Sequence, residues 1–102
     1  MKIAINSLTD LGLLVRATRK SNKLRLDDVA GSAKLGAVFV GDVEHGKETV
    51  QFGRVLRLLN ELGIELFADI PEASLPEVEK LKIKGLKPRA TRVAKKSAGA
   101  VK

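Results

Sequence analysis

Hydrophobic and polar positions alternate, then switch period, several times along this chain. Met1, Ile3 and Ile5 alternate with Lys2, Ala4 and Asn6, which predicts a short strand. Ser7-Leu8-Thr9-Asp10 fits a capping box: Ser7 accepts from the N–H three residues on, and Asp10 reaches back. Leu11, Leu14, Val15 and Thr18 follow at helical spacing, so a helix is expected over 8–21, with Asn22-Lys23 as a break. A second helix is expected over Leu26–Ala33, with Val29, Ala30 and Ala33 inward, followed by a Lys34-Leu35-Gly36 turn. From Ala37 to His45 the signals conflict. Val38, Val40 and Val43 favour a strand, and Gly36 and Gly41 each weaken a helix by about 1 kcal/mol against alanine, yet Phe39, Val40 and Val43 share one helical face. Thr49 then caps an amphipathic helix whose Phe52, Val55, Leu56, Leu59 and Leu62 lie on one face, with Gly63 as a left-handed cap. Ile64, Leu66, Ala68 and Ile70 alternate with Glu65, Phe67 and Asp69, which predicts a second strand closed by Pro71.

Two short strands make a marginal sheet, whereas a homodimer pools four. Leu58 and Phe67 point away from the faces assigned inward, and with Ile64, Leu66 and Ala68 they form a candidate dimer contact. The alternative is a monomer that exposes them. The expected organisation is a domain over 1–71 and a basic, disordered tail over 72–102. Within that tail, Ser74-Leu75-Pro76-Glu77 can start a turn or two of helix to Lys84, and after Gly85 the chain has too little apolar surface to order itself.

The charge sharpens this division. The net charge is +7, but nine of the nineteen Lys and Arg residues lie from Lys80 onward, where there is no acid. The other ten, against twelve acids, leave residues 1–79 at a net −2. The cationic tail suits a nucleic acid or another polyanion, or it is simply a solvated terminus. The chain has no cysteine and one histidine, so neither a disulfide nor a zinc site is expected. Met1–Asn6 is too short and too soon polar for a signal peptide, and no apolar run approaches a membrane span.

One motif points to an enzyme. Gly41-Asp42-Val43-Glu44-His45-Gly46-Lys47-Glu48 nearly matches the phosphate-binding loop of nucleotide-hydrolysing enzymes. Glu48, however, stands where a hydroxyl should ligate magnesium, and Asp42 and Glu44 add two more charges of the wrong sign. The chain is also too short for the parallel sheet that carries the second magnesium carboxylate. No nucleophile-and-base pair is visible elsewhere, so no catalytic residue, metal or cofactor is expected. His45 is left with two roles, holding a phosphate or capping helix carbonyls.

Leu11-Gly12 through Arg16, Arg19, Lys20, Leu24, Asp28, Val29-Ala30, Ala33, Phe39, Val43-Glu44-His45-Gly46-Lys47 and Thr49 resemble the helix-turn-helix of phage-repressor (Cro/XRE) regulators. Within that group, the helix over Val50–Leu62 and the strand over Ile64–Ile70 resemble the HipB-like antitoxins. The resemblance spans residues 7–70 and leaves the tail uncovered. It implies a mainly α fold of four to five helices, with one or two short strands used in dimerisation, and it makes 37–45 a recognition helix. It also implies that Arg19 on the first helix pairs with Glu44 at the end of the third; otherwise both are exposed surface charges.

For function, the resemblance implies a cytoplasmic, nucleoid-associated bacterial repressor that binds a double-stranded operator as a homodimer. Its partner would be a HipA-type serine/threonine kinase toxin. A stand-alone regulator and a partner-binding module with vestigial DNA contacts are the alternatives. Arg25, Lys34, His45, Lys47 and Thr49 fall where the family meets DNA backbone, and Gly36, Ala37, Val38 and Gly41 fall where it meets bases. That second group carries no polar side chain. In the major groove, Ala37 and Val38 would pack on thymine methyls, and Asp42 would accept from a cytosine amino group.

Overall fold

The computed structural model describes residues 1–85, and the calls on the chain beyond Gly85 lie outside these described residues. Two compact units are distinguished, Met1–Leu66 and the segment from Phe67 onward. The first contains four helices: α1 (Leu8–Ser21), α2 (Leu26–Ala33), α3 (Ala37–Glu44) and α4 (Phe52–Leu62). The described part of the second contains a 3-10 turn (Glu72–Ser74) and α5 (Leu75–Lys84).

Local signals explain where these helices start and stop. Ser7 Oγ accepts from the Asp10 N–H at 3.1 Å, and Asp10 reaches back to the Asn6 N–H at 2.9 Å, which satisfies donors that open α1. Asp28 likewise accepts from the Arg25 N–H at 3.0 Å at the start of α2. α4 opens at Gln51, two residues later than the Thr49 cap expected from sequence, because residues 48–50 form a turn. It closes on Gly63 at φ 75°, where the left-handed conformation suits glycine.

Leu11, Val15, Val29, Ala30, Val40, Val43, Val55, Leu58, Leu59 and Leu62 form one buried cluster. Its side chains come from all four helices of the first unit, so no helix there stands without tertiary support. This settles the conflict over 37–45: burial of Val40 and Val43 on a single helical face outweighs the strand preference of three valines and the cost of Gly41.

Two expectations are corrected. The strands expected over 1–6 and 64–70 are absent, since no β-ladder exists among the described residues. Alternation records a face to be covered, while a strand needs a neighbouring backbone, and the described residues supply none. Leu58, expected on a dimer face, is fully buried, while Phe52 and Leu56, expected inward, are 57% and 44% exposed. The two candidate stripes share Val55, Leu59 and Leu62, and packing of α4 against α2 and α1 selects the one through Leu58. The helix expected to start near Ser74 and run towards Lys84 is α5, ten residues long, whose Pro76 sits in its first turn and whose Lys82 and Lys84 lie in its last.

Two backbone positions govern stability. Gly12 lies where α1 crosses α3, and a Cβ there would come 2.4 Å from the Val43 carbonyl oxygen and 2.6 Å from that of Glu44. Lys23 holds a left-handed φ of 58° in the turn after α1. Gly12→Ala is therefore expected to destabilise the protein by at least about 1–3 kcal/mol, and Lys23→Gly to stabilise it by about 0.5–1 kcal/mol. Urea unfolding of the two variants beside the parent checks both signs.

Candidate nucleic-acid interface

The outward surface of α2 and α3 exists because of what lies beneath it. Arg19, on α1, is buried with Glu44, the last residue of α3; their side chains are 11% and 3% exposed. Arg19 Nε donates to Glu44 Oε2 at 2.6 Å and Nη2 donates to Oε1 at 3.0 Å, a two-pronged pairing that fixes orientation as well as distance. Its third arm, Nη1, donates to the Leu24 carbonyl at 3.0 Å, so one guanidinium joins α1, the turn before α2 and the end of α3. The hydrogen bonding to Glu44 raises the Arg19 pKa further above its already high ordinary value, against the opposing effect of burial, and the Glu44 charge adds to the rise.

A second arginine does similar work, with no signal in the sequence pattern. Arg57 of α4 donates through Nη2 to the Ala33 carbonyl at 3.1 Å and the Lys34 carbonyl at 2.8 Å. These carbonyls end α2 and have no helical partner, so the cation meets the negative end of the helix. It also pins Lys34, which takes a left-handed φ of 59° at the turn into α3. The periodicity of α4 marks Arg57 only as an exposed charge, because its acceptors lie 23 and 24 residues away in sequence.

The positions expected at the DNA backbone are all exposed: Arg25 at the cap of α2, Lys34 in the turn, and His45, Lys47 and Thr49 after α3. Arg25 lies 3.4 Å from Asp27, both well solvated. Lys47 Nζ lies 3.5 Å from Asp42 Oδ2, so one cation expected to face phosphate is partly offset by the carboxylate on α3. The ring of His45 approaches the Gly41 carbonyl through Nδ1 at 2.8 Å; of its two expected roles, this geometry is the capping one. Gly46 holds a φ of 75°, and a Cβ there would meet Thr9 Oγ1 at 2.8 Å, so the turn after α3 is locked against the start of α1.

On α3 itself, Val38 and Asp42 lie opposite the buried Val40, Val43 and Glu44, while Gly41 flanks that face and Ala37 is exposed at the first turn. Gly36 caps the helix without a side-chain bond. The apparent phosphate-binding loop is now accounted for. Its first six residues are the end of α3 and the turn that closes it, whereas a phosphate loop must follow a strand and open a helix. Among the described residues, no group of three or more His, Cys, Asp or Glu is placed to hold a metal ion, and no helix is long and apolar enough to cross a membrane.

A short helix pair joined by a tight turn, with the second helix laid across the first unit and its outer face open, matches the docking element of helix-turn-helix proteins. The uncharacterized HTH-type transcriptional regulator y4mF of Sinorhizobium fredii (strain NBRC 101917 / NGR234) is 45% identical over 62 residues, which are 61% of this chain and 82% of that protein. The chain belongs to the helix-turn-helix transcriptional regulators. Among solved structures, the regulator superposes on a chain titled HipB–O4 20mer complex with a TM-score of 0.63 at 14% identity, covering 70% of this chain and 100% of that one. A chain from the HipA–HipB–O2–O3 complex gives the same TM-score of 0.63, also at 14% identity over 70% of this chain. At such identity the likeness is one of fold. No protein-family model matches the regulator.

Glu44→Gln leaves the Arg19 guanidinium buried without its counter-charge, and the expected loss is about 3–5 kcal/mol in urea unfolding; a loss under about 1 kcal/mol would class the pair with solvated surface bridges. Arg57→Met removes two bonds to otherwise unpaired carbonyls, with an expected loss of about 1–2 kcal/mol by the same measurement.

Proposed function

We propose that this regulator is a homodimeric repressor of the HipB-like antitoxin type, which binds an operator, holds a HipA-type serine/threonine kinase toxin inactive and represses its own operon. The DNA-binding half of this reading is carried by one observation: a relative 45% identical is an HTH-type transcriptional regulator, and its matched region includes enough of this chain to span 82% of that protein. Arg25, Lys34, Lys47 and Thr49 then meet phosphates, with His45 holding the end of α3, and Gly36, Ala37, Val38 and Gly41 meet bases. The two half-sites lie about one helical turn apart, or a multiple of it.

The dimer half is supported by the 64–70 segment. Its alternation finds no ladder among the described residues, and Leu66 and Phe67 remain 45% and 67% exposed. A second copy would pair the backbone of this segment and cover Ile64, Leu66, Phe67 and Ala68. The toxin half is supported by the fold shared with HipB over that chain's whole length. In this reading residues 1–71 bind DNA and dimerise in the cytoplasm, and the cations from Lys80 onward add affinity without sequence preference.

Salt-titrated binding of the full-length protein to DNA upstream of its own gene and to scrambled DNA tests the repressor. Preference for the upstream DNA is expected; equal affinity contradicts it. Lys47→Ala is expected to weaken both complexes alike and to lower the salt slope by about 1. Co-expression with a kinase encoded beside the gene is expected to yield a stable complex. Failure to co-purify favours a stand-alone regulator.

A further inference from the structure

The polar groups on the outer face of α3 are already engaged within the protein. The Asp42 carboxylate lies 3.5 Å from the Lys47 ammonium, and His45 approaches the Gly41 carbonyl through Nδ1 at 2.8 Å. Gly36, Ala37 and Gly41 offer no side-chain donor or acceptor. What remains is Val38, in the first turn of the helix and 79% exposed. Its isopropyl group adds nothing to the core, which α3 reaches through Val40 and Val43 on the opposite side. Valine is also a poorer helix former than alanine, so helix propensity gives no reason for it there. Beside it, a Cβ at Gly36 or Gly41 would meet nothing within 4 Å beyond its own chain neighbours and helix backbone, so no other element of the fold crowds these two positions.

We propose that Val38 makes the recognition helix a reader of pyrimidine 5-methyl groups, accepting thymine and 5-methylcytosine alike. The proposal rests on the reading of this chain as an operator-binding regulator. In the major groove thymine shows an acceptor at position 4 and a methyl at C5, and cytosine shows a donor at position 4 and no methyl. A polar side chain would tell the two bases apart at position 4. An isopropyl group senses only whether the methyl is present, and 5-methylcytosine carries that methyl on the same ring carbon as thymine. The expected order of affinity at the contacted position is therefore thymine and 5-methylcytosine together, above deoxyuridine and cytosine. Burying one methyl changes affinity by about fourfold, and the same substitution in both half-sites of a dimer by about sixteenfold.

The test begins with selection of duplexes from a random-sequence pool by the full-length protein. The enriched duplex is then remade with deoxyuridine for thymine, position by position, and with cytosine or 5-methylcytosine at any position where deoxyuridine weakens binding. The expected result is a loss of about fourfold per methyl removed, restored by 5-methylcytosine but not by cytosine. Val38→Ser, which removes an exposed side chain and is checked for folding by its thermal midpoint, should bind the thymine and deoxyuridine duplexes equally. If an enriched duplex binds equally well with deoxyuridine throughout, methyl reading is overturned while the operator-binding reading stands. The same holds if Val38→Ser keeps the parent's discrimination. If no sequence is enriched over the pool, both readings fall.

Discussion

A single buried ion pair decides where the recognition helix sits. α3 is only eight residues long, contains glycine and three valines, and has no side-chain cap at its first turn. Such a segment has little helical stability of its own. It is held from outside: Arg19 grips Glu44 with two bonds, and Gly12 lets the backbone of α1 pass within contact of the Val43 and Glu44 carbonyls. Burial of Val40 and Val43 then fixes the rotation of the helix about its axis. Orientation, closeness and rotation thus each have a separate physical cause.

This division of labour frees the outer face. No residue among Gly36, Ala37, Val38 and Gly41 contributes to the buried cluster, so these positions answer to whatever docks there. The cations sit around that face: Arg25 before α2, Lys34 in the turn, Lys47 beyond α3. In the proposed complex, this cationic rim would supply affinity through charge, and the apolar centre would supply discrimination through shape and methyl groups. Arg57 extends the support, because by holding the carbonyls at the end of α2 it fixes the turn from which α3 departs.

Much of this was legible in the sequence, for identifiable reasons. α1 and α2 declare themselves through local signals, a capping box and helical spacing, that need no partner. The rotation of α4 was not legible, because two overlapping stripes of leucine and valine fit the same eleven residues and only packing against α2 and α1 chooses between them. The expected strands failed for a related reason, since period-two alternation is a property of one segment and a ladder is a property of two. Arg57 was invisible because its role depends on contacts made across the fold. The 37–45 segment lies between these cases. Propensity pointed to a strand, family resemblance pointed to a helix, and the buried Val40 and Val43 show the physical cause.

Native-state hydrogen exchange across α3 measures most directly whether tertiary contacts, rather than the helix's own propensity, hold the recognition element. If they do, the amides of Val40 to Glu44 open only with the whole domain, with the same free energy as the core amides of α1 and α4. Exchange of the α3 amides by a separate opening of much lower free energy, with α1 and α4 still protected, would contradict the account.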